Sequence, residues 1–289
     1  MTIALDTPVR RPLPHPVAPP PTAPRTARIA LYGDLTCPWS YLASRRAALL
    51  EADGVEVDWW MVEHDRPVPG RPVDPDARLK ATRGDLDRVS RRLLPGELLP
   101  HALAGFVPFT KPAVSGYAEA YLAGAGPAAR RLLFDAFWMH AVDLGDARLV
   151  RTLLVDIVRS ATPSSDLVRD WGYAVDVTGA PVTADAWRLV RRWRDGWSDG
   201  GEVVPALVLD GGRRLDGAAA VEWLGAELVR RDVDLDQPLP AYVGDPGPTR
   251  DGLQHLADLS WATQHGNRWL QARRDAHAPN LFSRLRPWI

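Results

Sequence analysis

Cys37 is the only cysteine in the 289-residue chain, and it stands in the stretch Asp34-Leu35-Thr36-Cys37-Pro38-Trp39-Ser40. A single thiol excludes an internal disulfide framework, a Cys₄ zinc site, an iron–sulfur cluster and a dithiol switch within the chain. It leaves room for a nucleophile. A cysteine at the start of a helix faces backbone N–H groups without partners and the positive end of the helix dipole. Such settings draw a thiol pKa from about 8.5 towards roughly 3.5–7.5, so an activated thiolate is expected at Cys37. Pro38 suits the first helical turn because it wastes no donor there. Trp39 supplies an apolar wall, and the Ser40 hydroxyl can hydrogen-bond to the thiolate. A lone cysteine is ordinarily a small buried hydrophobe. The Asp-x-x-Cys-Pro-Trp context at a strand-to-helix turn points instead to a reactive one. Asp34 reads equally as a turn residue or as a buried acid tuning the thiol.

Other chemistry is thin. His15, His64, His101, His140, His255, His265 and His277 are scattered without metal-ligand spacing, so no metal and no tightly bound cofactor are expected. His64 and His140 are the two that could approach a pocket between sheet and helices. Gly124-Ala125-Gly126 lacks the lysine and spacing of a phosphate loop. Trp187, Trp193, Trp197 and Trp223, among twelve tryptophans, sit in helical patterns and read as packing. Arg188, Arg191, Arg192 and Arg194 read as a solvated helix face. Lys80 and Lys111 are the only lysines.

The elements that must position Cys37 follow from local pattern. Ala27 to Tyr32 reads as a strand, Gly33 to Thr36 as the turn leaving it, and Pro38 to Leu50 as a helix ended by Asp53-Gly54. Val55 to Glu63 is a second β-rich run, which makes a strand–helix–strand unit suited to a parallel sheet. Helices follow from about 72 to 182. One joins Asp85–Val89 to Leu93-Leu94, one runs from Ala128 to Ala141, and Asp146 caps a third. Thr183 starts a helix that ends at Asp195-Gly196. In Val203 to Leu209, Pro205 is compatible with a strand only near its beginning, a place where the cis form is frequent. Asp210-Gly211-Gly212 is a hairpin turn before Arg213–Leu215, and Ala218 to Arg230 is a closing helix.

The order of these pieces resembles the thioredoxin superfamily, specifically its DsbA-like branch of FrnE type. The carriers are Asp34-Leu35-Thr36-Cys37-Pro38-Trp39-Ser40, Phe137 through Leu144-Gly145-Asp146, Val204-Pro205, and Leu215-Asp216-Gly217-Ala218. The resemblance covers residues 27 to 230. It implies an α/β thioredoxin-like fold (27–72 and 183–231) with an inserted all-helical domain (73–182). A proline-rich disordered tail (1–26) and a linker with a helical C-terminal extension (232–289) flank it. It further implies that Cys37 is the catalytic nucleophile with Ser40 beside it. Pro38, Trp39, Val204 and Pro205 would then form the substrate edge. Ser40 replaces the family's second, resolving cysteine, so a mixed disulfide at Cys37 must be released by an external thiol, glutathione or an equivalent co-substrate. The chain also resembles kappa-class glutathione transferases and 2-hydroxychromene-2-carboxylate isomerases, which carry a serine where Cys37 stands. A third reading is a thioredoxin-like binding module without activity.

Bulk properties fit a soluble protein acting on small thiols, disulfides or small molecules. The net charge of −1 gives no excess for binding nucleic acid. No apolar stretch is long enough to span a membrane, and the first 26 residues lack the apolar run of a secretory signal. The cytoplasm is therefore the expected compartment.

Overall fold

The computed structural model describes residues 28–64, 74–100, 104–162, 166–237 and 239. The proline-rich tail and the C-terminal extension from residue 240 onward lie outside them. Strand β1 (Arg28–Gly33) leads through a short turn into helix α1 (Pro38–Ala52) and back into β2 (Glu56–Met61). Five helices follow: α2 (Pro75–Val89), α3 (Lys111–Leu122), α4 (Gly126–His140), α5 (Ala147–Ser160) and α6 (Asp166–Trp171). Helix α7 (Ala184–Asp199) then returns the chain to β3 (Ala206–Val208), β4 (Arg214–Asp216) and α8 (Ala218–Arg230). The sheet order is β2-β1-β3-β4. β1 and β2 are parallel from Arg28↔Glu56 to Gly33↔Met61, whereas β3 is antiparallel to both β1 and β4. This is a thioredoxin-like α/β fold with a helical insertion between β2 and α7.

Sheet and insertion share one continuous core that includes Leu31, Leu42, Trp59, Phe134, Phe137, Trp138, Ile157 and Leu224. Gly33 on β1 presents no side chain, a Cβ there would overlap the ring of Trp59 on β2, and that ring meets Phe134 of α4 edge-on across the seam. Two buried arginines bolt the layers together. Arg46 on α1 donates Nε and Nη2 to the two oxygens of Glu97 at 2.7 and 2.6 Å. Its remaining reach goes to the carbonyls of Val221 on α8 and Arg92, at 2.6 and 2.7 Å. Arg130 on α4 makes a bidentate pair with Glu51 at 3.1 and 2.8 Å while lying over Trp59. Neither pair leaves a local signature in the sequence.

Four helices differ from expectation, α6 among them because no separate element was expected at Asp166–Trp171. α2 starts ten residues before Asp85, because Asp74 accepts from the N–H groups of Asp76 and Ala77 and Pro75 takes the first turn. It stops before Leu93-Leu94, since the Leu94 N–H is drawn to Glu97. α3 has no counterpart in the pattern reading, as Pro112, Ser115 and Gly116 look like loop residues. Gly116 is in fact a contact point, where a Cβ would lie 2.6 Å from Leu154 Cδ1. α7 runs on through Gly196, whose missing side chain admits the Tyr32 hydroxyl.

Removing one partner of a buried ion pair strands the other charge, at a cost of about 3–5 kcal/mol. Glu97→Ala is therefore expected to lower unfolding stability in urea by roughly that amount, with part of the loss recovered in Arg46→Met/Glu97→Ala. A loss below about 1 kcal/mol would show the pair to be dispensable.

Candidate active site

The site is assembled by the turn after β1. Asp34 is buried, and its Oδ1 accepts from the Thr36 N–H at 2.6 Å and the Thr36 hydroxyl at 2.7 Å. Its Oδ2 accepts from the His64 N–H at 2.6 Å, tying the exit of β1 to the exit of β2. Its carbonyl accepts from the Cys37 N–H at 3.3 Å, and its own N–H donates to Ser40 Oγ at 3.2 Å. Asp34 is thus the turn residue, and its two oxygens are fully engaged.

This turn delivers Cys37 to the N-cap of α1 in an extended conformation, with Pro38 in the first turn. Serine or aspartate at an N-cap usually bonds back to the helix. The Cys37 side chain makes no such bond. Its thiol donates to the Val204 carbonyl at 3.9 Å. The Val204–Pro205 peptide is cis. The Pro205 carbonyl accepts from the Gly217 N–H at 2.7 Å, and Trp197 Nε1 donates to the Val203 carbonyl at 3.0 Å, so the loop is pinned on both sides of the proline. Trp39 donates Nε1 to Asp85 at 3.4 Å, and Trp138 donates to the Leu35 carbonyl at 2.9 Å, bringing insertion helices α2 and α4 to the site's edge.

Cys37, Pro38, Trp39, Ser40, Val204 and Pro205 therefore converge on one locus. Sequence reasoning did not find the Thr36 and His64 clamps on Asp34, nor Trp138, Asp85 and Trp197. The Asp-x-Thr spacing is a local signal for the first clamp, whereas the others are contacts over long separations. His64 enters through its backbone, its exposed ring lying 6.2 Å from that of Trp197. His140 is the last residue of α4.

The electrostatics reverse the expectation of an activated thiolate. Burial pushes the Cys37 thiol up to about 12, the Ser40 backbone N–H pulls it down, and the Asp34 carboxylate pushes it up. The Ser40 hydroxyl and the Trp39 N–H pull it down more weakly. The helix donors are present, yet desolvation and a fixed anion outweigh them. In this closed geometry Cys37 is a neutral S–H donor at physiological pH. Among the described residues no cluster of histidine, cysteine, aspartate and glutamate could hold a metal ion. Among them, too, no helix is long and apolar enough to cross a membrane.

The described elements form a thioredoxin-like fold with Cys37 at the start of α1 and a cis-proline loop against it. No family model and no curated protein matches the chain. Among solved structures it is similar to a probable DsbA oxidoreductase from Streptomyces coelicolor, at 20% identity and TM-score 0.49 over 78% of this chain and 97% of that one. It is similar to a 2-hydroxychromene-2-carboxylate isomerase, at 19% and 0.49 over 70% and 95%. It is also similar to the cytosolic disulfide reductase DsbM from Pseudomonas aeruginosa, at 17% and 0.47 over 70% and 98%.

Only a thiolate is alkylated, so a raised pKa moves reactivity to high pH. Iodoacetamide labelling of the native protein is expected to be at least about tenfold slower at pH 8 than labelling of a free cysteine, and still rising at pH 10. Asp34→Asn removes the nearby anion and should speed labelling at pH 8. A labelling rate that reaches its plateau below pH 8 would overturn the assignment.

Proposed function

We propose that this chain is a thiol-disulfide oxidoreductase of the DsbA-like kind that works by a monothiol mechanism through Cys37. The observation that carries the reading is the Cys37 sulfur at the head of α1, 3.9 Å from the carbonyl of the cis-proline loop. An arriving disulfide that brings water to the sulfur relieves the desolvation that keeps the thiol protonated. The Ser40 and Trp39 N–H groups then stabilise the thiolate. The thiolate attacks one sulfur of the substrate disulfide, forming a mixed disulfide at Cys37 and expelling the other sulfur as a thiolate. A low-molecular-weight thiolate, glutathione or an equivalent, attacks the substrate-side sulfur of that mixed disulfide and frees Cys37. Ser40 cannot perform this second attack. Val204 and Pro205 offer the edge on which an extended substrate pairs, with Pro38 and Trp39 beside it. A reducing compartment, the cytoplasm, suits a protein that depends on such a thiol.

One observation favours a second reading, a glutathione-dependent transferase or isomerase. A thiol held neutral is a donor well suited to hydrogen-bonding a bound glutathione thiolate. The two readings part at Cys37→Ser. The serine variant keeps the donor but loses the nucleophile, so it abolishes disulfide chemistry in the first reading and preserves glutathione-dependent turnover in the second.

Native protein exposed to oxidised glutathione is expected to gain one glutathione on Cys37 by mass spectrometry, and reduced glutathione should remove it. Ser40→Cys should add insulin-reducing activity of the dithiol kind. A native protein that forms no adduct, while the unfolded chain does, would sink the oxidoreductase reading.

A further inference from the structure

A cavity of about 510 Å³ opens beside the sheet edge, and Cys37 is not among its lining residues. Its walls are the end of β2, the first turn of α3, the loop through Thr178 and Pro181, and one face of α7. The volume lies in the range of small-molecule sites, about 300–1,000 Å³. The α7 face is Trp187, Val190 and Arg194, spaced three and four residues apart and so in one stripe. The helix buries the adjoining stripe, Ala186, Leu189, Trp193 and Trp197. Trp187 is 52% exposed, so the expectation that it serves packing is corrected. It is a large aromatic surface turned to a cavity.

The charges of the lining are asymmetric. Lys111 and Arg194 supply two cations. Lys111 has no ion-pair partner within 4 Å among the described residues, and the contact between Arg194 Nε and Asp195 is a long, exposed 3.7 Å. Glu63 lines the cavity with these cations, and it and the neighbouring Asp176 are hydrogen-bonded within the protein. Glu63 accepts from the Lys111 N–H at 3.1 Å, at the head of α3. Asp176, which senses the Lys111 charge, accepts from the Thr178 N–H, the Thr178 hydroxyl and the Ala180 N–H through one oxygen, each at 2.8 Å. Those bonds also make the wall a preformed loop, closed by the Asp176 N–H to the Ala180 carbonyl at 2.9 Å.

From this combination we infer that the cavity is a binding site for a small aromatic anion, a carboxylate or sulfonate on a flat apolar body of about two rings. The rings stack on Trp187 against Phe109, Val114 and Val190, and the anion bridges Lys111 and Arg194. The inference goes beyond the proposed thiol chemistry, since none of these residues belongs to the Cys37 locus.

The test uses the full chain and 8-anilinonaphthalene-1-sulfonate, followed by calorimetry and fluorescence. Saturable binding of one equivalent is expected, with neutral N-phenyl-1-naphthylamine at least about tenfold weaker. Arg194→Met, an exposed change that leaves the core intact, should weaken the sulfonate several-fold, and Lys111→Met/Arg194→Met by about tenfold or more. Val190→Trp, which fills the cavity, should abolish binding. Cys37→Ala should leave it unaltered, which separates this site from the thiol site. Absence of saturable binding, equal binding of the neutral compound, or wild-type affinity in both Val190→Trp and the double variant would overturn the inference.

Discussion

The carboxylate of Asp34 is the constraint on which the site depends. Three donors from two strand exits converge on it, and its own backbone adds bonds to Cys37 and Ser40. A buried carboxylate is tolerable only when its oxygens are satisfied. Satisfying them here closes the turn, brings β2's exit alongside, and aims Cys37, the N-cap of α1, at the cis-proline loop. The price of this clamp is a fixed negative charge near the sulfur, which opposes the helix donors.

That opposition shapes the chemistry. A helix N-terminus favours a thiolate by the few N–H groups that reach it. Removing the sulfur from water disfavours the same thiolate, and here burial is the larger effect. The packed site therefore favours Cys37 as a thiol over the thiolate. Ser40 belongs to the same logic. It is buried, accepts from Asp34, and lowers the thiol without offering a second sulfur.

The helical insertion is bonded to the sheet as part of one core. Arg46, Arg130 and the Trp59 ring over Gly33 join α1, α4, α8 and β2 across long separations in sequence. Such buried pairs cost desolvation, which is offset only by near-complete hydrogen bonding, and Arg46 achieves it with four bonds. Helix α7 borders both sites. Trp197 fixes the loop before Pro205, and Trp187 and Arg194 on its other stripe line the cavity.

Features written in neighbouring residues were legible in the sequence. The β1–α1–β2 unit, the placement of Cys37 at a helix start, the proline at a strand beginning, the hairpin at Gly211-Gly212 and the closing helix all rest on periodicity, caps and turn chemistry, which act within a few residues. Local signals, Asp74 and Pro75, mark the start of α2, whereas its C-terminal end, the end of α7 and the existence of α3 were hidden. Glu97, Tyr32 and Leu154 decide them from afar, and glycine reads as a breaker when it is a contact point. The sequence by itself determined that one thiol would stand at the head of a helix. Only the tertiary structure decided that this thiol is protonated, because desolvation and the field of a clamped carboxylate are set by everything packed around the sulfur.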